Sequence, residues 1–438
     1  MEVAVSLETI AKQIQDLTKN VSTYLQNNGH PQPSLSVNGP ADFPRDSPEV
    51  AEARGKLIEQ TQLLRDLLMG PSDYIRHITN SYVDVACIHW ITHFNIAKHV
   101  PLDQPISYAD LASAANVPLS QLRQVLRYAS TIHLFTEPTP GHVAHTSVSR
   151  LLRDSPPVID YVGHCVEFSA TIVAKMVEAT EKFQGSQEPN ETAFNLAFDT
   201  PLPMFGWMGQ HPEVAQRFKR LMVGMTKSEK YSPRYLGECY DWSALESGKV
   251  VDIGGSSGHC SIVIAKQAPK LKLIVQDLPH VVAANKDSLP EELRQQISFM
   301  PHDFFAPQPV EDADVYLFSQ IFHDWSDKYC VKILQNVIPV MKKGAKIVIR
   351  DQVVPPPGSL EKWVEKEMRM VDIFMMTNFN AKERELSDWE KLFAEADPRL
   401  RIAKMVKPPT SVFTIMEIEL REDGNSAALA TNGVNGSH

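Results

Sequence analysis

The sequence predicts an α/β protein, with a parallel sheet covered by helices in the C-terminal half behind a mostly helical N-terminal half. Three observations predict it. From Gly248 onward short apolar runs (KVVDIGG, LKLIVQDLP, ADVYLFSQIF, AKIVIRDQVV) alternate with helical stretches such as HCSIVIAKQAPK, the β-α-β rhythm of a parallel sheet. From Glu49 to about Asp154 the apolar residues recur instead at helical spacing. The chain has 438 residues, enough for two or three domains of roughly 150, and its 43% hydrophobic and 22% charged residues make an ordinary globular balance. Lys plus Arg number 43 against 53 Asp plus Glu, a net charge of −10, the wrong sign for gripping phosphate backbones. A small-molecule ligand is therefore expected, and no nucleic acid.

Taken in order, Val3, Leu7, Ile10, Ile14, Leu17, Val21 and Leu25 form the stripe of an amphipathic helix. The segment Asn27 to Pro48, rich in Pro, Gly, Asn and Ser, reads as a flexible linker that cannot bury enough apolar area to order itself. Ser107 and Asp110 make a capping-box-like start to a helix, a second helix follows Pro118, and two short strands flank a Pro/Gly turn near Pro140. That is a winged-helix outline. Between Ser81 and Ser155, however, basic and acidic residues balance, whereas a groove reader needs a concentrated basic face. Subunit pairing is the expectation instead, through apolar helices such as DVACIHWITHFNIA.

From Pro156 to Tyr235 the chain reads helical again, with Val214, Phe218, Leu221, Met222 and Met225 at helical spacing. Phe205, Trp207 and Met208 cluster among Pro and Gly, either as the rim of a site for a flat apolar substrate or as loop packing. The expected organisation is a helix and linker over 1–48, a winged-helix-like dimerisation domain over 49–155, and connector and pocket helices over 156–235. A Rossmann-like domain over 236–421 and a disordered tail over 422–438 complete it. Five scattered cysteines without CxxC pairs fit a reducing compartment and no metal. With neither a signal-like start nor a spanning apolar run, a soluble cytoplasmic protein without membrane contact is expected.

The strand Val250–Ile253 runs into Gly254-Gly255-Ser256-Ser257-Gly258 and then a helix, so the backbone can turn sharply and a ligand can approach it. No Gly-Lys-Ser/Thr follows, which disfavours a phosphate loop and favours a less phosphorylated adenosine ligand. Asp277 lies near the interval at which an acid meets ribose hydroxyls, with a helix cap as its other reading. These residues, with PHDFF, FHDW and NAKERELSDWEKLF in order, resemble the S-adenosylmethionine-dependent O-methyltransferases of plant phenolic and fungal secondary metabolism over roughly Glu49 to Glu419.

The resemblance implies that Gly254 and its neighbours Asp252, Gly255 and Gly258 meet the methionine part of S-adenosylmethionine. Asp277 would hold the ribose and Asp303 and Phe304 the adenine, with Leu278 a further cofactor contact. A lysine of plant relatives is replaced here by Ser319. The resemblance places the general base on His323, flanked by the acids Asp351 and Glu383, either of which is otherwise read as a cap or surface pair. His164, Phe205, Trp207, Met222, Met225, Asp324 and Arg350 are the candidate substrate contacts. The methyl donor is already activated, so the protein must align the acceptor and take the proton of a phenol with pKa near 10. The expected function is methylation of a phenol or enol hydroxyl of an aromatic or polyketide-derived metabolite by a homodimer, releasing S-adenosylhomocysteine, without a metal. The alternative is a cofactor-binding relative that catalyses dehydration or pericyclic cyclisation without methyl transfer.

Overall fold

A computed structural model describes residues 6–44, 47–285 and 287–421. Val3 of the first stripe and the expected disordered tail lie outside the described residues. Two compact units divide the chain: the first runs through Met225 and adds Pro355–Asn380, while the second takes Thr226–Val354 and resumes at Ala381. The expected domain 236–421 is therefore not one compact segment. Pro355-Pro356-Pro357-Gly358 ends the strand path, and the helix Lys362–Phe379 that follows belongs to the first unit.

In the first unit the helix Leu7–Asn27 starts at Ser6, whose Oγ accepts from Thr9 N, and buries Ile10, Val21 and Leu25. The linker is not left loose, contrary to the expectation. Ser147 N and Oγ donate to the carbonyls of Leu35 and Ser34 at 3.1 Å, and Arg150 Nη1 donates to Val37 O at 3.2 Å. Polar capture of the backbone replaces the apolar burial that the composition lacks. The helical stretch Pro48–Asn80 breaks at Gly70, whose φ of 67° no helix accommodates, just before Pro71. Beyond the break Ile75, Ile78, Tyr82 and Val85 are exposed.

The winged-helix outline is present. Strands β1 (Ile106–Ser107), β2 (Phe135–Thr139) and β3 (His142–His145) form an antiparallel sheet in the order β1-β3-β2. The helices Tyr108–Ala114 and Leu119–Thr131 cover it through Leu111, Leu122 and Leu126 against Phe135 and Val143.

The second unit is built on β4 (Lys249–Ile253), β5 (Lys272–Asp277), β6 (Ile297–Pro301), β7 (Val315–Ser319) and β8 (Lys346–Asp351), all parallel. The two-residue strands β9 (Val353–Val354) and β10 (Arg384–Glu385) pair with each other. Antiparallel β11 (Leu400–Val406) and β12 (Thr414–Leu420) complete a seven-stranded sheet in the order β11-β12-β8-β7-β4-β5-β6. The parallel strands read as unbroken apolar runs because helices bury both faces, with Tyr316, Phe318 and Ile347 in one core and Val250, Leu317 and Val348 in the other. Strand order reverses between β4 and β7, where open α/β sheets bind ligands at their carboxyl ends. No helix among the described residues is long and apolar enough to cross a membrane.

Candidate active site

At the end of β4 the chain turns through Gly254 at φ 72°, and Gly254 N and Gly255 N donate to Gln276 O on β5 at 2.8 and 3.1 Å. A Cβ at Gly255 would stand 2.7 Å from the Asp252 carboxyl carbon and 2.8 Å from a Val275 methyl, so the loop lies too close to the sheet for any side chain there. Asp252 is fully buried. Its Oδ2 accepts from Ser261 Oγ at 2.7 Å, while Oδ1 has no partner, and burial raises its pKa.

Asp277 Oδ2 accepts from Ser256 N at 2.9 Å and Oδ1 from Leu278 N at 2.8 Å. Burial raises its pKa, and those two N–H groups oppose the rise. The carboxylate thus ties the glycine loop to the end of β5, beside the exposed Leu278. After β6, Asp303 Oδ1 accepts from Phe305 N at 2.9 Å, and Phe304 meets Trp325 edge-on with ring centres 5.8 Å apart. A Cβ at Gly254 would lie 3.8 Å from the Phe304 ring, so the loops after β4 and β6 meet. An orphaned buried acceptor beside a glycine loop with no space for side chains fits a ligand carrying donors against the main chain, as S-adenosylmethionine would.

His323 sits on a short turn after β7, with Gln320 at φ 57° bending the chain away from the strand. Its Nδ1 lies 2.9 Å from Glu383 Oε1, and its Nε2 3.6 Å from Asp324 Oδ1. Asp351 ends β8, fully buried, its Oδ1 accepting from Gln352 N at 3.1 Å and its Oδ2 unpartnered. The three candidate catalytic residues are thus brought together, 28 and 32 positions apart in sequence though they are.

Burial alone would push the His323 imidazole down, but the charges of Asp324, Asp351 and Glu383, with the Glu383 hydrogen bond, hold it well above its ordinary value. Burial raises Asp324 to about 6, opposed by His323, and raises Asp351 as well. The side chain that sets Glu383 in place escaped the reading of the sequence. Arg384, fully buried, donates to Phe322 O at 2.7 Å, Trp325 O at 2.9 Å and Asp327 Oδ1 at 2.7 Å, clamping β10 to the turn that carries His323. Alternation in Lys382-Glu383-Arg384 was the available signal, since neighbours on a strand point to opposite faces.

Arg350 requires a correction. It was expected to meet substrate, yet it is 1% exposed and its guanidinium is held inside the unit. Nη1 donates to Ser319 Oγ and Gln320 Oε1 at 3.1 Å, Nη2 donates to Tyr231 O at 2.7 Å, and the group lies 4.2 Å from the Phe413 ring centre. Its position on β8 next to Ser319 on β7 imposes this, because inside the sheet a cation must be paired. Ser319 Oγ also receives the Cys260 thiol at 3.4 Å.

His164, Phe205, Trp207, Met222 and Met225 belong to the first unit. His164 opens a π-helical turn, packs against Phe168 and Phe218, and is lowered to about 4 by burial and then by Arg217. Trp207 sits among Phe168, Phe194 and Phe198, the packing half of the two readings left open. Phe205 is exposed on one side and stacked on Phe379 with ring centres 5.2 Å apart. Met222 and Met225 are half-buried on the helix Pro212–Thr226.

Comparison with known proteins agrees with this layout. Residues 179–397 match the family model of an O-methyltransferase domain, and residues 76–155 match that of an O-methyltransferase dimerisation domain. The O-methyltransferase VdtC of Byssochlamys spectabilis is 38% identical over 421 residues, covering 94% of this chain and 97% of that protein. A chlorophenol O-methyltransferase of Trichoderma longibrachiatum is 36% identical over 414 residues, covering 93% and 89%. Among solved structures, a LepI variant in complex with SAH and a substrate analogue aligns with a TM-score of 0.70 at 25% identity, covering 94% of this chain and 100% of that one.

Proposed function

Because the chain belongs to the O-methyltransferase family, we propose that it methylates a phenol or enol hydroxyl of a small aromatic or polyketide-derived metabolite, with His323 as general base. The observation that carries the reading is the His323–Glu383 hydrogen bond of 2.9 Å beside Asp351. S-adenosylmethionine supplies an activated methyl group when bound. Asp252 Oδ1, the main chain at Gly254, Gly255 and Gly258, and Ser319 would hold its methionine part, Asp277 and Leu278 its ribose, and Asp303 and Phe304 its adenine.

The protein's task is then alignment and proton removal. Holding the reactants in line contributes about 7–11 kcal/mol of the barrier. With Nδ1–H donating to Glu383 Oε1, the other nitrogen, Nε2, takes the acceptor proton, and a general base contributes about 10²–10⁴-fold. Glu383 and Asp351 stabilise the imidazolium that results, while Asp324, facing Nε2, orients the acceptor hydroxyl. The base must be unprotonated, so a raised His323 makes the rate climb with pH through that raised value rather than through about 6.5.

The chlorophenol relative supports a phenolic acceptor. The exposed Ile75, Ile78, Tyr82 and Val85, with the dimerisation-family match, support a homodimer, and the five unpaired cysteines support a reducing compartment such as the cytoplasm. The test is mass balance against a phenolic panel, comparing wild type with His323→Ala. One methylene gained per acceptor with S-adenosylhomocysteine released, lost in the variant, is the expected result. Unmethylated but dehydrated or rearranged product with the cofactor intact would overturn it in favour of the non-methylating alternative.

A further inference from the structure

His323, Asp351 and Glu383 each offer a ligand atom, one nitrogen and two carboxylate oxygens, and the three atoms all lie within 4.8 Å of one another. Asp351 is fully buried, its Oδ2 has no hydrogen-bond partner, and its Oδ1 accepts from the backbone of Gln352. A buried carboxylate oxygen without a donor is costly unless a proton or a cation neutralises it. Asp324 Oδ1 lies 3.6 Å from the other ring nitrogen, so carboxylates face the imidazole on both sides.

We propose that His323, Asp351 and Glu383 form a binding site for a divalent transition cation of the zinc or cobalt type, and that its occupation blocks the proton transfer assigned to His323. The binding half stands on the side-chain geometry; the blocking half rests on the function proposed above. Imidazole with carboxylates is a donor set for zinc and its neighbours, whereas magnesium and calcium take oxygen alone. Zinc–ligand bonds of about 2.0–2.2 Å set tetrahedral ligand atoms roughly 3.4 Å apart, between the 2.9 Å of the Nδ1–Oε1 pair and the 4.8 Å that bounds all three, so side-chain rotation of about an ångström suffices. The ring nitrogen beside Glu383 is Nδ1, so a cation held there displaces the Nδ1 proton and fixes the ring's one proton on Nε2, which can then no longer take the acceptor proton, and the ion inhibits. Strand ends assemble this site, which is why no short ligand spacing in the sequence announces it.

The test uses chelator-stripped full-length protein titrated with zinc chloride and, separately, cobalt chloride. One equivalent per chain is expected, with a visible cobalt spectrum lacking the thiolate charge-transfer band that the five cysteines would produce. Asp351→Asn and Glu383→Gln should each weaken zinc binding at least tenfold while leaving S-adenosylmethionine affinity within about threefold, which shows that the fold is intact. Substoichiometric binding, wild-type zinc affinity in both variants, or a thiolate band would overturn the site. Zinc bound with methyl transfer undiminished would overturn the blocking half and leave the proposed function standing. Chelator-stripped protein that methylates nothing in the panel and yet binds zinc would overturn the proposed function and leave the site standing.

Discussion

The loops after β4 to β6 and the turn that carries His323 both lie at the carboxyl ends of one sheet, yet they handle charge in opposite ways. In the first region backbone N–H groups answer the loop acids: Ser256 and Leu278 bind Asp277, and Phe305 binds Asp303, while Asp252, on β4 itself, keeps Oδ1 without a partner. In the second, three carboxylates crowd one imidazole, and Asp351 keeps an oxygen without a donor. The first region needs only local chain geometry, and its bonds persist whether or not a proton is present. The second has more negative charge than its surroundings satisfy, so it stores affinity for positive charge, the condition for a strong base. The sites proposed for cofactor binding and for proton transfer are thus built by different physics.

The contrast can be broken most sharply at the proton site. His323→Ala should cut turnover by about 10²–10⁴-fold while S-adenosylmethionine affinity, read by calorimetry, moves less than threefold. A parallel loss of affinity would mean that the two regions are not separable. Next in size, Arg384→Ala removes a buried cation that satisfies two carbonyls and Asp327, and should lower unfolding free energy by about 3–5 kcal/mol in a denaturant titration. A change below about 1 kcal/mol would show that Glu383 is set in place by something else.

Glu383→Gln deletes one of the charges that raise His323 and the acceptor that fixes its tautomer. A rate loss of about 10²-fold is expected, and the rise of rate with pH should move downward toward about 6.5 in chelator-treated enzyme. An unmoved profile would assign the raised value to Asp324 and Asp351 alone. The smallest effect belongs to the first region: Asp277→Asn should weaken cofactor binding about tenfold, the worth of one hydrogen bond to a charged acceptor, with saturated turnover little changed.

How far the sequence revealed each region follows from the same contrast. A glycine loop and its following acid lie in one strand-loop-helix-strand stretch, so Gly254 to Asp277 was readable by spacing. His323, Asp351 and Glu383 were found only through resemblance, because nothing in one dimension says that positions 323, 351 and 383 meet. Arg350 was misread for a related reason: a charged residue inside an apolar strand run signals function or pairing alike, and only the neighbouring Ser319, Gln320 and Phe413 decide between them. The linker misled because composition measures apolar burial and is blind to carbonyls captured by Ser147 and Arg150. Trp207 was left between two readings, and its three aromatic neighbours come from parts of the chain that periodicity does not relate.

The excursion Pro355–Asn380 bears on how the protein is made. Asn380, left-handed at φ 52°, closes the excursion by donating its side-chain amide to the carbonyls of Glu188 and Glu191, at 2.8 and 2.9 Å. The first unit therefore receives its last element only after most of the second has been synthesised, and the second then resumes at Ala381. Chains usually fold their N-terminal domain first as it leaves the ribosome. Here neither unit can be finished before residue 380 emerges, so the nascent chain holds two incomplete cores at once up to that point.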